Sequence, residues 1–115
     1  MKVTRRKKPR QFAIRGVKLQ EAGTIHLSPG EVVTFVDGTG KECDFTAAAW
    51  GYYVAPSLNG RLKDQGYKAA LVLGPRGKIF LMAVDSTKTD IFRAYLKDQK
   101  CVVLCWLDEW AAKVR

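Results

Sequence analysis

Short runs in which apolar residues alternate with polar ones recur along this chain, and this pattern is typical of β-strands. Two turns join such runs most clearly. The first connects residues 31–36 to 41–46, and the second connects residues 67–73 to 78–85. Each turn is a Gly-rich loop of four residues, so the sequence predicts two β-hairpins. The runs of the second hairpin are almost continuously apolar, which predicts strands that are covered on both faces and lie centrally in a sheet.

The first part of the chain predicts shorter strands. Residues 12–19 alternate with a change of phase at Gly16, which indicates a first strand interrupted by a β-bulge. A second short strand follows at residues 24–27 and ends at Ser28-Pro29-Gly30, a strong turn sequence.

The period changes near the C-terminus. A helix is predicted over residues 90–99, with an apolar stripe that consists of Ile91, Phe92, Tyr95 and Leu96. An apolar strand at 101–107 follows, and we expect it to pair centrally, beside the strand at 78–85, either in parallel or as an antiparallel return. A last short helix at 109–114 would be anchored by Trp110.

These elements predict an α+β fold. We expect a mostly antiparallel β-sheet or a small, partly open β-barrel of six to seven strands, with one packed helix near 90–99 and a short C-terminal helix. The length of 115 residues is typical of one domain. We therefore divide the chain into a basic, flexible N-terminal arm at 1–11 and a single globular α+β domain at 12–115.

The arm is distinguished by its charge. The chain has a formal net charge of +9, and its first twenty residues contain eight basic residues and no acidic one. The remaining residues contain twelve basic and eleven acidic residues, so they are nearly neutral. A concentrated cationic segment can bind the phosphates of RNA or DNA. The residues expected to do so are Arg5, Arg6, Lys7, Lys8, Arg10 and Arg15. The alternative is that the arm is a solvated tail.

Residues 50–67 combine aromatic, amide and cationic side chains on a stretch that is too long for a tight turn. Long loops in compact domains are often functional. The expected contacts to a small anionic ligand are Tyr52, Tyr53, Asn59, Arg61 and Lys63, with the planar guanidinium of Arg61 as the clamp. The alternative is that these aromatic residues fill the core and Asn59-Gly60 forms a turn.

Catalytic and metal-binding patterns are weak. His26 is the only histidine, and Cys43, Cys101 and Cys105 lack the paired spacing of a zinc site, so we expect no metal and no cofactor. We expect the cysteines to be reduced, buried hydrophobic residues, although Cys43 could form a disulfide with one of the others. Gly74–Lys78 lacks the spacing of a phosphate-binding loop, and a plain turn is the expected structure.

The chain has no apolar run of the roughly eighteen residues that a membrane span needs, and its basic N-terminus leads into no apolar stretch. We therefore expect a cytoplasmic location and no membrane partner.

Three hypotheses of function follow. The first is a nucleic-acid or other polyanion-binding module, in which Tyr52, Tyr53 and Tyr67 would stack on bases. The second is a small anionic-ligand-binding or accessory metabolic protein that uses the 50–67 loop. The third is a structural or protein-interaction domain that pairs through a strand edge. An enzyme ranks below these, and the oligomeric state is open.

Overall fold

The two predicted hairpins are present in the computed structural model, which describes residues 1–14 and 17–114. Ten strands lie in this described part: β1 (Lys2–Thr4), β2 (Gln11–Ile14), β3 (Val17–Gln20), β4 (Thr24–His26), β5 (Val32–Val36), β6 (Glu42–Ala48), β7 (Gly51–Tyr53), β8 (Tyr67–Leu73), β9 (Ile79–Asp85) and β10 (Val102–Trp106). The three helices there are α1 (Arg61–Asp64), α2 (Thr89–Gln99) and α3 (Leu107–Lys113).

The strands form four small antiparallel sheets. Their orders are β1-β4, β2-β3, β5-β6-β7 and β10-β8-β9. The α+β class and the antiparallel pairing are therefore confirmed. The described strands exceed the expected six to seven, because the N-terminal part contributes four short strands, and they do not close into a barrel.

The core lies between α2 and the sheet of β8, β9 and β10. Ala70, Val72 and Leu96 are buried there, and Met82, Phe92, Cys101, Val103 and Trp106 pack around them. Successive strand residues point to opposite faces, so Ala70 and Val72 of β8 share the face that α2 covers. The predicted helix at 90–99 is thus confirmed as the element that closes this core.

Two predictions about this sheet are wrong. The strand β9 was expected to be central, but it pairs with β8 alone among the described residues, and Ile79, Phe80 and Leu81 are exposed. The strand β10 pairs antiparallel with β8 and lies at the opposite edge, not beside β9. Continuous apolar composition therefore marks a strand here without marking its place in the sheet.

The anchor of the last helix also differs from the prediction. Trp110 is exposed, and it is Trp106 at the end of β10 that packs on Phe92, with 5.7 Å between ring centroids in an edge-on arrangement. The helix α2 ends at Gln99, and Lys100 directly after it adopts a left-handed conformation with φ of 56°. The N–H of Cys101 then bonds to the carbonyl of Leu96 at 2.8 Å, which turns the chain directly into β10.

The predicted strand at 12–19 is two strands, β2 and β3, paired antiparallel from Gln11 opposite Gln20 to Ile14 opposite Val17. Because residues 11–14 and 17–20 belong to two different strands, the alternation of apolar and polar residues changes phase between them. The bulge predicted at Gly16 lies outside the described residues. The segment that was expected to be a flexible arm contains β1, which pairs with β4. None of the described helices has the length and apolar character needed to cross a membrane.

Candidate functional site

The basic residues of the N-terminal segment lie on the outside of two small sheets. Lys2 belongs to β1, and the chain from Arg5 to Arg10 links this strand to β2. Seven basic side chains there are exposed: Lys2, Arg5, Arg6, Lys7, Lys8, Arg10 and Lys18. We call these side chains the basic surface. Arg15, which was also predicted to bind nucleic acid, lies outside the described residues.

One carboxylate organises the basic surface. The side chain of Glu21 is only 10% exposed, and its carboxylate oxygens lie 2.7 Å from Arg10 and 3.3 Å from Arg6. The backbone N–H of Glu21 also bonds to the carbonyl of Arg10 at 2.9 Å. Glu21 therefore fixes where Arg6 and Arg10 lie. In the described part of the chain, Arg5, Lys7 and Lys8 form no ion pair and keep their charge available.

The surroundings of these cations suit a phosphate chain. A cavity of about 430 Å³ is lined by Arg5, Arg6 and Glu21, together with neighbouring residues. Phe12 on β2 is also exposed, and the guanidinium of Arg10 lies 5.9 Å from the centroid of its ring. Cations can neutralise phosphates, and an exposed aromatic ring can stack on a base.

Arg61, the predicted anion clamp, lies at the start of α1 and contacts carboxylates of the chain itself. Its Nε donates to Asp44, and its Nη2 lies 3.2 Å from Glu42, both on β6. Thr34 on β5 donates a further hydrogen bond of 2.8 Å to Asp44. The hydrogen bonds from Arg61 and Thr34 lower the pKa of Asp44, and the Asp44 carboxylate raises that of Arg61. The guanidinium thus ties α1 to the β5–β6 hairpin.

The other predicted ligand residues lie in different places. Tyr52 and Tyr53 are exposed on β7, where Tyr52 contacts the ring of Phe45 and Tyr53 contacts Trp50 edge-on. Tyr53 lines a cavity of about 570 Å³ that Asp44 also lines.

Asn59 and Lys63 line a separate cavity of about 710 Å³ between α1, β8 and α3. Lys68, which also lines this cavity, pairs with Glu109 at 3.1 Å and lies 4.6 Å from the ring centroid of Trp106. The structure therefore brings Asn59 and Lys63 together but places Tyr53 in another cavity.

A polar joint between the β5–β6 hairpin and the sheet of β8 and β9 was not predicted. Tyr67 donates to Asp37 at 2.8 Å, and the ammonium group of Lys41 donates to Asp85. Burial and the hydrogen bond to Asp37 raise the pKa of Tyr67 to about 12. The bonds from Lys41 and Thr87 lower the pKa of Asp85 to about 2. The turn at Asp37-Gly38-Thr39-Gly40 was visible in the sequence, but the sequence did not show its contact with Tyr67, which lies 30 residues from Asp37.

The remaining candidates for chemistry are separate from one another. His26 on β4 lies 3.2 Å from the hydroxyl of Thr4, its neighbour across β1. The three cysteines are free thiols, and burial raises the pKa of Cys43. In the described ranges, no group of three histidine, cysteine or acidic side chains is placed to hold a metal ion.

The charges of the described residues thus divide into two kinds. Arg61 and Lys41 are engaged with carboxylates of the body, whereas Arg5, Lys7 and Lys8 are not engaged. Function must be inferred from this chemistry, because comparisons with protein-family models, with curated proteins and with solved structures find no match.

Proposed function

We propose that this protein is a polyanion-binding module that contacts the phosphates of nucleic acid through its basic surface. The observation that carries the proposal is the concentration of exposed cations at the N-terminus around a single carboxylate, Glu21. The contact residues are Arg5, Arg6, Lys7, Lys8, Arg10 and Arg15.

The position of these cations supports binding over a solvated tail. The strand β1 pairs with β4 and β2 pairs with β3, so both ends of the segment from Arg5 to Arg10 are fixed. Because the cations are attached to paired strands, less conformational entropy is lost when they meet a phosphate chain than for a free tail. The exposed ring of Phe12 favours a single strand, whose unstacked bases can contact it.

The test is binding of a fluorescent single-stranded oligonucleotide, followed by anisotropy over a range of salt concentrations. The variant Arg5→Gln/Lys7→Gln/Lys8→Gln removes three exposed cations that form no ion pair with any described residue. If each contacts one phosphate, the slope of log affinity against log salt becomes shallower by about 2. The matched control is Arg76→Gln/Lys97→Gln/Lys113→Gln, which removes the same charge from exposed positions elsewhere and leaves the slope unchanged.

Two results would reject the proposal. One is a wild-type protein that does not bind the oligonucleotide at about 50 mM salt, where phosphate contacts are strong. The other is an equal loss in both triple variants, which would mean that net charge alone causes the binding.

A second candidate function is the binding of a small anionic ligand in the cavity that Asn59 and Lys63 line. It is favoured by the size of the cavity, about 710 Å³, which lies in the range of small-molecule sites, and by Lys63, which lines it and makes no ion pair within the described ranges. Arg61 is proposed there only as the residue that holds α1 in place, since its guanidinium contacts Asp44 and Glu42.

Thermal unfolding in the presence of citrate tests this candidate. We expect citrate to raise the melting temperature of the wild type, and Lys63→Ala to abolish the rise. The control Lys97→Ala, an exposed change on α2, should keep it. A rise that survives in Lys63→Ala would exclude this cavity.

A further inference from the structure

The outer edge of β9 has backbone groups without partners in the described structure. Two bonds set the phase of its pairing with β8: Gly74 N–H to the Lys78 carbonyl and Ser86 N–H to the Gly66 carbonyl, both 2.8 Å. In an antiparallel pair, alternate residues bond to the partner strand. The backbone N–H and carbonyl groups of the even-numbered residues of β9 therefore bond to β8. Those of Ile79, Leu81 and Ala83 point outward, away from the sheet.

This edge lacks the features that usually protect an edge strand. The register of β9 with β8 is regular from Ile79 opposite Leu73 to Asp85 opposite Tyr67, so no bulge twists the edge away. Residues 79–84 contain neither proline nor a charged side chain. An edge strand of this length and composition is a template for a further strand.

Apolar surface flanks the edge on both faces of the sheet. On the face that α2 covers, Met82, Ile91 and Tyr95 line a groove of about 540 Å³, and Ile91 is 67% exposed. On the opposite face, Ile79 is 61% and Leu81 is 53% exposed. An added strand would direct alternate side chains into the groove beside α2, so this set would be apolar.

The charged side chains near the two ends of β9 that are not engaged by another described residue are all cations. Arg76 and Lys78 lie before the strand and Lys88 lies after it; all three are exposed and make no ion pair within the described ranges. Asp85, at the end of the strand, is engaged by Lys41. A second copy added antiparallel would bring its Lys88 towards Arg76 and Lys78, which disfavours self-pairing. Acidic residues at both ends of the added strand would instead be attracted.

We propose that the free edge of β9 binds an extended segment of a partner protein by strand addition. The segment carries apolar side chains in alternation and acidic residues at both ends. Its backbone bonds to Ile79, Leu81 and Ala83, one set of its side chains fills the groove beside α2, and its ends pair with the cations at 76, 78 and 88. This site is independent of the basic surface.

A phage-displayed library of random nonapeptides provides the probe. We expect selection on the full chain to enrich peptides with apolar residues in alternation and acidic residues towards both ends. Synthetic copies of the enriched peptides are then measured by fluorescence anisotropy against Ala83→Pro and Ala83→Val. Proline removes the outward N–H without removing a bond to β8, and edge strands tolerate it. Valine keeps the N–H and adds a similar volume.

The expected result is a loss of roughly tenfold or more in Ala83→Pro, since an acceptor of the peptide loses its donor, and little change in Ala83→Val. Circular dichroism confirms that both variants are folded. The charge variant Arg76→Glu/Lys88→Glu should also weaken the acidic peptides, whereas Lys97→Glu/Lys113→Glu should not.

Three results would overturn the proposal. The first is that selection on the wild-type chain enriches no peptides beyond those enriched in a parallel selection on Ala83→Pro. The second is equal binding of the enriched peptides to both variants at position 83. The third is a wild-type dimer in gel filtration that Ala83→Pro converts to a monomer, because the edge would then be occupied by a second copy.

Discussion

The sheet of β8, β9 and β10 is held by a packed apolar core, whereas the two sheets of residues 1–26 are held by strand pairing and ion pairs. Ala70, Val72 and Leu96 are buried in the core of the β8-β9-β10 sheet. In the N-terminal sheets, none of the side chains whose burial the structure describes (residues 1–13 and 18–26) is a buried hydrophobic one, and Val3, Phe12 and Leu19 are exposed. The terminal amine instead contacts Glu31 at 2.7 Å, and Glu21 contacts Arg6 and Arg10.

This difference bears on function. Surface ion pairs contribute little to stability, so the N-terminal sheets are held more weakly than the core. The same lack of a core leaves their cations and the ring of Phe12 on the surface. The N-terminal sheets, to which we assign polyanion binding, are thus held more weakly than the sheet that packs against α2.

The largest expected effect is a stability change that contrasts the two regions. Leu96→Ala removes a buried core side chain and should lower the free energy of unfolding by about 2–5 kcal/mol. Leu19→Ala makes the same change at an exposed position of β3 and should cost less than about 0.5 kcal/mol. Urea unfolding of both variants measures the difference. Equal losses would mean that the N-terminal sheets have a core of their own.

An intermediate effect is expected on binding when Glu21 is neutralised. Glu21→Gln releases Arg6 and Arg10, so the affinity for a single-stranded oligonucleotide should rise several-fold and the salt slope should steepen by about 0.7–1.4. The free energy of unfolding should change by less than about 1 kcal/mol.

Glu109→Gln is the control, because it removes an equal charge from an ion pair with Lys68 in the body. Affinity that falls in Glu21→Gln would show that the carboxylate positions the arginines for binding, contrary to its expected role as a competitor of phosphate. An equal rise in both variants would show that only net charge matters.

The smallest expected effect concerns the polar joint between the β5–β6 hairpin and the sheet. The pKa of Asp85 is about 2 in the folded protein, below its usual value, because of its bonds to Lys41 and Thr87. A carboxyl group with a lowered pKa stabilises the fold above its ordinary pKa, and this contribution is lost as the pH falls. The melting temperature should therefore drop between about pH 4 and pH 2, and Asp85→Asn should make that drop shallower.

Asp64→Asn is the control for this prediction, since the Asp64 carboxylate is exposed and makes no ion pair within the described ranges. An acid-induced drop of the same size in Asp85→Asn and the wild type would contradict the assigned role of the joint. The pKa values of Asp37 and Asp44 are also lowered, by hydrogen bonds to Thr39 and Tyr67 and to Arg61 and Thr34 respectively, so part of the drop should remain.

The sequence was most informative where structure is local. The β5–β6 and β8–β9 hairpins follow from turn residues between β-prone runs, and α2 follows from a change of period; both signals lie within one element or two adjacent ones. The position of β9 could not be predicted, because apolar composition does not say which strands will pair with it. Trp106 and Trp110 are likewise distinguished only by the packing of α2 on the sheet.

The candidate site shows the same limit. The exposed cations of the N-terminus were evident from charge alone. The partners of Arg61 were not, because Asp44 and Glu42 lie 17 and 19 residues away and meet it only when α1 packs beside β6. A charged side chain that the sequence suggests as a ligand contact can thus form ion pairs within the protein instead.

The most direct measurement is a titration of the ¹⁵N-labelled protein with a single-stranded oligonucleotide, followed by amide chemical shifts. We predict that the shifts that change fall within residues 2–22, with those of Arg5, Lys7, Lys8 and Phe12 among the largest, while the amides of β8, β10 and α2 stay in place. Changes that centre instead on Tyr52, Tyr53, Asn59 and Lys63, or that spread evenly over the body, would contradict the assignment of binding to the basic surface.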